Sequence, residues 1–403
     1  MKIEKPQNIL LIMPYGSVGG MERLAETFYE NYRKMGHTVK AVKIIGLEND
    51  IINFGQDELV LSKKDFAAYS ILGRLFFYLQ IPFLLRRIIR KQKIETSIAF
   101  GDMANCFSAI TMTTERKVAS LHSMKSLEFL NTAGISRFFK WSTRHTYKRF
   151  DKVVAISNTV KMDLIHNCKY QFNNLQTIYN PHNINGIVEK SKESFSHKES
   201  FVHTDFILFL GRLGVVKAPW HLIKAFALIE RDFPGLDLII VGDGDARVER
   251  FTKDLVTHLN LQDRVLFVGR KNNPYKYLAK AKCLALSSFY EGTPNVIVEA
   301  MSLNIPIITT NCTDGILEMM VGQVKEERDG LLITETGIIT PNILKDNVNA
   351  IPKDFNFTSE DEKYAEGLKL ILNPDMNNSF RNTDKGKLLE KYDIKNVLNE
   401  YLT

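Results

Sequence analysis

Short apolar segments with β-type composition alternate with longer segments of helical period in two parts of the chain. In the first part the strand-like segments are residues 8–13, 38–45, 95–100, 117–121 and 152–156. The pattern repeats later, in residues 206–210, 236–241, 265–268, 283–286 and 305–309. Strands that alternate with helices are typical of parallel βαβ units. The sequence therefore predicts an α/β fold with two doubly wound parallel sheets.

A polar segment without a period, residues 189–204, separates the two patterns and predicts a linker. We accordingly expect an N-terminal domain at residues 1–188 and a C-terminal domain at residues 205–380. Residues 381–403 contain apolar positions at helical spacing, which predicts a terminal helix packing back on the N-terminal domain. Residues 334–358 are polar with no clear period, and we interpret them as an insertion of unknown role.

Composition narrows the class of protein. At 403 residues, with 44% hydrophobic and 25% charged residues, the chain fits two ordinary globular domains. Its longest apolar stretch, residues 75–85, contains Gln80 and Pro82 and is shorter than the ~20 residues of a membrane-spanning helix. The polar N-terminus does not resemble a signal peptide, so we expect a cytoplasmic protein. The four cysteines are far apart, which argues against a disulfide framework or structural zinc.

Positive charge is concentrated in the first half. Residues 1–185 hold 26 Lys and Arg against 15 Asp and Glu, whereas residues 186–403 hold 27 against 31. A basic half suits nucleic acid, an anionic membrane or an acidic substrate, and composition alone does not separate them. The basic segments match no helix-turn-helix, zinc-finger or RNA-recognition pattern, so we expect no nucleic-acid partner.

Two cations follow a predicted strand in the segment from Gly211 to Lys217. Ligands of open α/β sheets bind beyond the carboxyl ends of the strands. Arg212 and Lys217, five residues apart in this loop, are spaced to contact a diphosphate from two sides. A solvated basic loop is the alternative.

A second loop follows the predicted strand that ends at Leu286, and a helix is expected to begin at Pro294 or Asn295. The backbone amides there face the ligand edge as an anion site. Glu291 precedes that helix and Glu299 lies within it, so one carboxylate can meet sugar hydroxyls and the other ribose hydroxyls. The loop residues in this donor site are Gly292, Thr293, Pro294, Asn295 and Val296.

The ordered set of motifs resembles the retaining GT-B glycosyltransferases of family 4. Glu291 and Glu299 match the family's Glu-x7-Glu motif, and Gly211, Arg212 and Lys217 match its Gly-Arg-Leu-x3-Lys-Gly loop. The glycine after that lysine is Ala218 here, which leaves the local turn open. Further landmarks are Gly19-Gly20-Met21-Glu22-Arg23, Val154-Ala155-Ile156-Ser157, Tyr179-Asn180-Pro181 and Val241-Gly242-Asp243-Gly244.

The resemblance implies two Rossmann-like domains facing across a cleft and a nucleotide-diphosphate sugar, with UDP expected on family frequency, as co-substrate. It implies that Arg212 and Lys217 bind the diphosphate, Glu299 the ribose, and Glu291 the transferred sugar. Gly19 and Gly20 would approach the phosphates, and His122 would lie against the donor sugar, unless it is a capping or core histidine. The expected catalytic set is Glu291, His122, Arg212 and Lys217.

Fixed cations and amide dipoles can stabilise charge on the departing phosphate, so we expect neither a metal nor another cofactor. The alternative is that Asp243-Gly244-Asp245 forms the Asp-x-Asp signature of metal-dependent glycosyltransferases. We expect transfer of a hexose-type sugar to a glycan or lipid-linked saccharide in cell-envelope polysaccharide synthesis.

In the family the first domain meets the acceptor. Segments 74–93 and 137–150 mix aromatic and cationic residues, which suits either peripheral binding to an anionic membrane or core helices with a basic rim. A GT-B sugar-nucleotide epimerase and a non-catalytic partner subunit are alternative functions. A dinucleotide dehydrogenase is excluded because the full Gly-x-Gly-x-x-Gly fingerprint does not follow a strand.

Overall fold

The computed structural model describes most of the chain. The described residues are 5–16, 20–48, 50, 52–65, 68–129, 135–195, 199, 205–291, 293–322, 324–343 and 350–403. Gly19 and Gly292 of the predicted site lie outside them, as do parts of the predicted linker and insertion. Contacts divide the chain into two compact units, one of residues 1–181 with 395–403 and one of residues 182–394.

The first unit is built on a sheet whose described strands are all parallel and run in the order β3-β2-β1-β4-β5-β6-β7. The strands are β1 (Asn8–Met13), β2 (Thr38–Ile45), β3 (Glu58–Ser62), β4 (Thr96–Phe100), β5 (Arg116–Leu121), β6 (Lys152–Ala155) and β7 (Leu175–Thr177). The helices are α1 (Gly20–Lys34), α2 (Ile71–Lys91), α3 (Asp102–Ala109), α4 (Lys125–Glu128), α5 (Ile135–His145) and α6 (Asn158–His166).

The second unit begins with α7 (Ile184–Ser191) and has the sheet order β10-β9-β8-β11-β12-β15-β14-β13 among its described strands. The strands are β8 (Asp205–Leu210), β9 (Leu236–Val241), β10 (Val265–Gly269), β11 (Cys283–Leu286), β12 (Ile307–Thr310), β13 (Val324–Arg328), β14 (Leu331–Thr334) and β15 (Gly337–Thr340). The remaining helices are α8 (Pro219–Ile229), α9 (Ala246–His258), α10 (Tyr275–Lys280), α11 (Asn295–Ser302), α12 (Asp314–Met320), α13 (Ser359–Leu372), α14 (Pro374–Asn382), α15 (Gly386–Glu390) and α16 (Ile394–Leu402).

Each unit has its own hydrophobic core, because strands covered by helices on both faces bury nearly every side chain. In the second unit α8 is almost wholly buried, and Trp220 lies in its core. In the first unit α2 buries a stripe at four-residue spacing, Phe77, Ile81, Leu85 and Ile89. The predicted fold class, two Rossmann-like parallel-sheet domains, is confirmed.

The C-terminal segment returns to the first unit. The Tyr401 hydroxyl lies 2.8 Å from Ser120 Oγ, and the Tyr32 hydroxyl donates to the Leu398 carbonyl oxygen at 2.9 Å. The Tyr401 ring also packs edge-on against Phe28. These buried contacts tie residues 395–403 to α1 and β5. The terminal helix predicted in residues 381–403 is divided in two, because α15 ends at Glu390 and α16 begins at Ile394.

The division between the two units lies a few residues earlier in the chain than the predicted domain boundary. The division falls between residues 181 and 182, so the predicted linker's first residues belong to α7 in the second unit. Residues 334–340, predicted as part of an insertion, contain β15, which pairs in parallel with β12. None of the described helices combines the length and the apolar content that a bilayer crossing requires.

Candidate active site

The two predicted loops of the donor site follow neighbouring strands of the second unit. β8 lies between β9 and β11, which is the point where the strand order reverses direction. The loop after β8 contains Arg212 and Lys217, and the loop after β11 contains Glu291. The Phe289 amide donates to the Val216 carbonyl oxygen at 2.8 Å and joins the loops. Ligands of open α/β sheets bind at such switch points.

Close backbone packing fixes the start of the β8 loop. The Leu213 amide donates to the Asp243 carbonyl oxygen at 2.8 Å, and the Asp245 amide donates to the Leu213 carbonyl oxygen at 2.8 Å. Gly242 has a φ of 147°, and a Cβ at this position would lie 1.9 Å from the Gly211 carbonyl oxygen. Only glycine fits here, so the Gly242 turn holds Gly211 in place.

The residue that replaces the family's glycine adopts a glycine-type conformation. A short 3₁₀ turn, Val215–Lys217, ends at Ala218, whose φ of 43° and ψ of 50° are left-handed. Such a conformation is uncommon for a residue with a side chain. The Ser287 hydroxyl donates to the Ala218 carbonyl oxygen at 3.0 Å, and Pro219 then begins α8. The turn is thus formed with alanine in the position of glycine.

Lys217 and Glu291 are brought into contact by these two loops. Lys217 Nζ donates to Glu291 Oε1, and the Ser288 hydroxyl donates to the same oxygen at 2.6 Å. Both side chains are partly buried. A cation therefore lies beside a carboxylate whose position is fixed by a neighbouring hydroxyl group.

The helix that begins at Asn295 starts without a side-chain cap. Pro294 occupies the N-cap position of α11 and makes no side-chain hydrogen bond to the first turn. The first amides of a helix carry partial positive charge, which favours an anion. The Asn295 side chain interacts with the His182 imidazole and opposes the effect of burial on the pKa of His182. Burial lowers the pKa of His182 to about 4, so the imidazole is neutral near pH 7.

Glu299 lies on the same helix in an environment that opposes its charge. The Tyr275 hydroxyl is 3.5 Å from Glu299 Oε1. Burial raises the pKa of the Glu299 carboxyl to about 7, and the hydrogen bond from Tyr275 only partly offsets this. Partners that donate hydrogen bonds to a carboxylate stabilise its ionised form. A ligand with two adjacent hydroxyl groups would supply such donors.

Three further predicted groups of the second unit are Arg212, Asp243 and Asp245. Arg212 is exposed. Asp245 caps α9 and pairs with Arg247 at 2.6 Å, and its hydrogen bonds to Arg247 lower its pKa to about 2. Asp243 accepts a backbone hydrogen bond through its carbonyl oxygen. Within the described residues, no three His, Cys, Asp or Glu side chains are grouped in a way that could hold a metal ion.

Two of the site residues predicted in the first unit, Gly20 and His122, are described, and each lies after a strand of the sheet. Gly20 is the first residue of α1, and His122 follows β5. Burial and the nearby Lys125 charge lower the pKa of His122 to about 3. Its Nε2 atom is buried and has no hydrogen-bond partner among the described residues. The roles of Gly20 and His122 in donor binding stay predictions.

Three supporting residues were not identified from the sequence: Tyr275, Ser288 and His182. Tyr275 and Ser288 each donate a hydrogen bond to one of the two glutamates, and His182 interacts with the Asn295 side chain. His182 directly follows the Tyr179-Asn180-Pro181 landmark, which was the available signal. Tyr275 and Ser288 have no motif of their own, because their partners are 24 and 3 residues away and depend on how the chain folds.

Comparisons with known proteins place this arrangement in a family. The model of "Glycosyl transferases group 1" matches residues 190–372, and that of "Glycosyltransferase Family 4" matches residues 18–185. Together the two matches span most of both units. The chain belongs to glycosyltransferase family 4.

Relatives in family 4 include two enzymes of Campylobacter jejuni. One is N-acetylgalactosamine-N,N'-diacetylbacillosaminyl-diphospho-undecaprenol 4-alpha-N-acetylgalactosaminyltransferase, which is 26% identical over 72% of this chain and 75% of the relative. The other is GalNAc-alpha-(1->4)-GalNAc-alpha-(1->3)-diNAcBac-PP-undecaprenol alpha-1,4-N-acetyl-D-galactosaminyltransferase, which is 26% identical over 85% of this chain and 88% of the relative.

A solved structure shares the GT-B fold of this family 4 chain. Anabaena HepE, in complex with UDP and glucose, aligns with a TM-score of 0.70 and 18% identity. The alignment covers 98% of each chain. The predictions of a glycosyltransferase and of the GT-B fold are therefore confirmed.

Proposed function

We propose that this protein is a retaining, metal-independent glycosyltransferase that moves a hexose-type sugar from a UDP-sugar to a saccharide carried on a polyprenyl diphosphate. The observation that carries the proposal is the contact between Lys217 and Glu291 at the switch point of the second sheet. A diphosphate bound at Lys217 places the sugar attached to it within reach of Glu291. The uncapped start of α11 adds amide donors on the same edge of the sheet.

The proposed mechanism depends on stabilising the negative charge that develops on the departing phosphate. When the bond between the sugar's anomeric carbon and the β-phosphate oxygen breaks, the electron pair stays on the phosphate. Lys217, held by its contact with Glu291, and the exposed Arg212 stabilise that charge, and the amides of α11 add to the effect. Glu291 accepts hydrogen bonds from the sugar hydroxyls, and Glu299 accepts them from the ribose. These groups account for the stabilisation of the leaving group without a metal ion.

The acceptor class rests on the relatives. The names of both Campylobacter jejuni enzymes specify acceptors linked to undecaprenol. Such an acceptor is held in a membrane, and the described part of α2 carries exposed apolar and cationic residues that suit a membrane surface. We place the reaction at the cytosolic face of the membrane, with the protein bound peripherally.

A panel of nucleotide sugars, scored by thermal shift, tests the donor assignment. The expected result is stabilisation by one UDP-sugar, and the product of the reaction with that donor should keep the donor's anomeric configuration. Glu299→Ala should abolish the shift and Lys217→Ala should weaken it, whereas the exposed Lys253→Ala and Glu362→Ala should leave it unchanged. Equal shifts in Lys217→Ala, Glu299→Ala and the unmodified protein would rule out this site.

A further inference from the structure

The first unit contains an apolar groove that the donor site does not use. Its volume is about 870 Å³, within the usual range for small-molecule sites. The walls are mainly apolar side chains of α2, with contributions from α3 and α5. Representative lining residues are Leu75, Tyr78, Leu79, Pro82, Phe107 and Phe138.

The helix that forms one wall is apolar on two faces. One face packs into the core through Phe77, Ile81, Leu85 and Ile89. Between Ile71 and Phe83 α2 also exposes large apolar side chains: Ile71 is 85% exposed, Leu72 78%, Phe76 64% and Phe83 72%. Exposed apolar surface of this extent marks a binding site for an apolar ligand, a partner or a membrane.

A cation lies in the wall of this apolar groove. Arg86 lines the cavity, and its Nε atom is buried with no hydrogen-bond partner among the described residues. Arg74 also lines the cavity and donates to the Tyr69 carbonyl oxygen at 3.3 Å. A buried guanidinium nitrogen without an acceptor is costly unless a ligand supplies one.

The charge along α2 has a direction. One cation, Arg74, lies in its first half, whereas Arg86, Arg87, Arg90 and Lys91 lie in its second half after the last exposed apolar side chain, Phe83. The groove therefore offers apolar walls over most of its length and the guanidinium groups of Arg74 and Arg86. The matching ligand is an amphiphile that has a long hydrocarbon chain with an anionic group attached.

We propose that this groove binds the acceptor's own lipid, with the first isoprene units in the apolar part and the diphosphate at Arg86. The proposal rests on the acceptor class given in the proposed function. Arginine suits the role because its planar fork matches phosphate oxygens and it stays charged. Each methylene group buried in the groove adds to affinity, so neither the diphosphate nor the chain alone should bind well.

Farnesyl diphosphate is a soluble probe for this chemistry. Its binding to the full chain can be measured by calorimetry without any nucleotide sugar or acceptor saccharide. Arg86→Gln removes the charge in the groove, and Leu79→Asp places a carboxylate in its wall. Arg87→Gln, an exposed arginine on the same helix, and Leu228→Asp, a half-exposed leucine of α8, are the matched controls.

The expected result is that Arg86→Gln and Leu79→Asp each weaken farnesyl diphosphate binding at least tenfold, while the two controls change it less than twofold. Inorganic diphosphate and farnesol should each bind at least tenfold more weakly than the probe. Unchanged UDP binding and thermal unfolding in Arg86→Gln would show that the variant is folded.

Three results would overturn the groove assignment. The first is binding that Lys217→Ala abolishes and Arg86→Gln does not, because the probe would then occupy the nucleotide site. The second is equal affinity for inorganic diphosphate. The third is flotation with phosphatidylglycerol vesicles in the absence of probe binding, which would make the surface a general bilayer contact. Since the assay needs no sugar transfer, failure of the proposed glycosyl transfer would leave its outcome intact.

Discussion

Lys217 Nζ donates to Glu291 Oε1 although 74 residues separate the two along the chain. The contact joins the loops after β8 and β11 and gives each charged group a partner. The same two groups have different expected tasks, since the lysine holds phosphate and the glutamate holds the sugar. Replacing one or the other should therefore affect binding and transfer differently.

Glu291→Ala should lower sugar transfer at least a hundredfold while UDP affinity stays the same or increases. The substitution removes the carboxylate that competes with phosphate for Lys217. It also removes the group that accepts hydrogen bonds from the transferred sugar. Lys217→Ala should instead weaken UDP binding about tenfold, as expected for the loss of one charge-assisted contact. Calorimetry with UDP and product assays separate the two effects. A fall in UDP affinity in Glu291→Ala would contradict the assigned roles.

The affinity for UDP should depend on pH through Glu299. The pKa of this carboxyl is about 7, and the proposed hydrogen bonds from the ribose hydroxyls favour its ionised form. UDP affinity should thus rise by roughly tenfold between about pH 6 and pH 8. Ionisation of UDP itself can also change its affinity with pH. Comparison with Glu299→Gln separates the two effects, because this variant should lack the increase in UDP affinity that ionisation of Glu299 causes. Parallel profiles in the two proteins would argue against ionisation of Glu299 on binding.

The same group should make the ligand-free protein less stable at higher pH. Because the folded pKa of about 7 lies above the ordinary 4.5, the folded state holds more protons than the unfolded state between these values. The free energy of unfolding should therefore fall as pH rises through this window, by about 1–3 kcal/mol in total. Glu299→Gln should be more stable than the unmodified protein at about pH 8. Urea unfolding at both ends of the window measures the difference.

The backbone conformation of Ala218 limits which side chains can occupy this position in the loop after β8. Ala218→Val should destabilise the protein by at least about 2 kcal/mol, because a β-branched residue is strongly disfavoured in a left-handed conformation. Ala218→Gly should be nearly neutral, since relief of strain is offset by loss of a buried methyl group and a more flexible unfolded chain. Chemical denaturation gives both values. A neutral valine variant would mean that the turn adopts another conformation.

Peripheral membrane binding should depend on the exposed cations of α2. Vesicles with anionic lipid should float the protein, and the double change Arg87→Glu with Arg90→Glu should lower its partition coefficient at least tenfold. Each cation near such a surface contributes about 1 kcal/mol. Arg231→Glu with Arg250→Glu makes the same charge change on exposed positions of the second unit and serves as the control. Flotation that ignores lipid charge would remove the membrane hypothesis.

Among the described strands, the sequence predicted ten as short apolar segments and missed β3, β7, β13, β14 and β15. β1 and β2 were predicted at their observed bounds because each is a buried strand flanked by turns. β13 was missed because all its residues are exposed at the edge of the sheet, and β7 because it has only three residues. β15 was also missed, since its four residues stand in a polar stretch and its pairing with β12 depends on residues far away in the chain.

Only the residues of the candidate site that belong to local sequence motifs could be predicted. The sequence indicated that Lys217 and Glu291 each follow a strand. Their contact depends on β8 and β11 being neighbours, which the sheet order decides. The sequence placed Glu299 within a helix, between apolar neighbours, but did not indicate its environment in the fold. The raised pKa and the hydroxyl of Tyr275 needed the folded chain, because burial is a property of all the surrounding elements together.

The fit between Gly242 and Gly211 has a consequence for variation at this site. Even a methyl group at position 242 would overlap the Gly211 carbonyl oxygen, so this position is closed to every other side chain. Laboratory evolution toward a new donor must therefore proceed through neighbouring positions. We therefore expect variants with a changed sugar preference to keep Gly242 and the backbone conformation of the loop that carries Arg212 and Lys217.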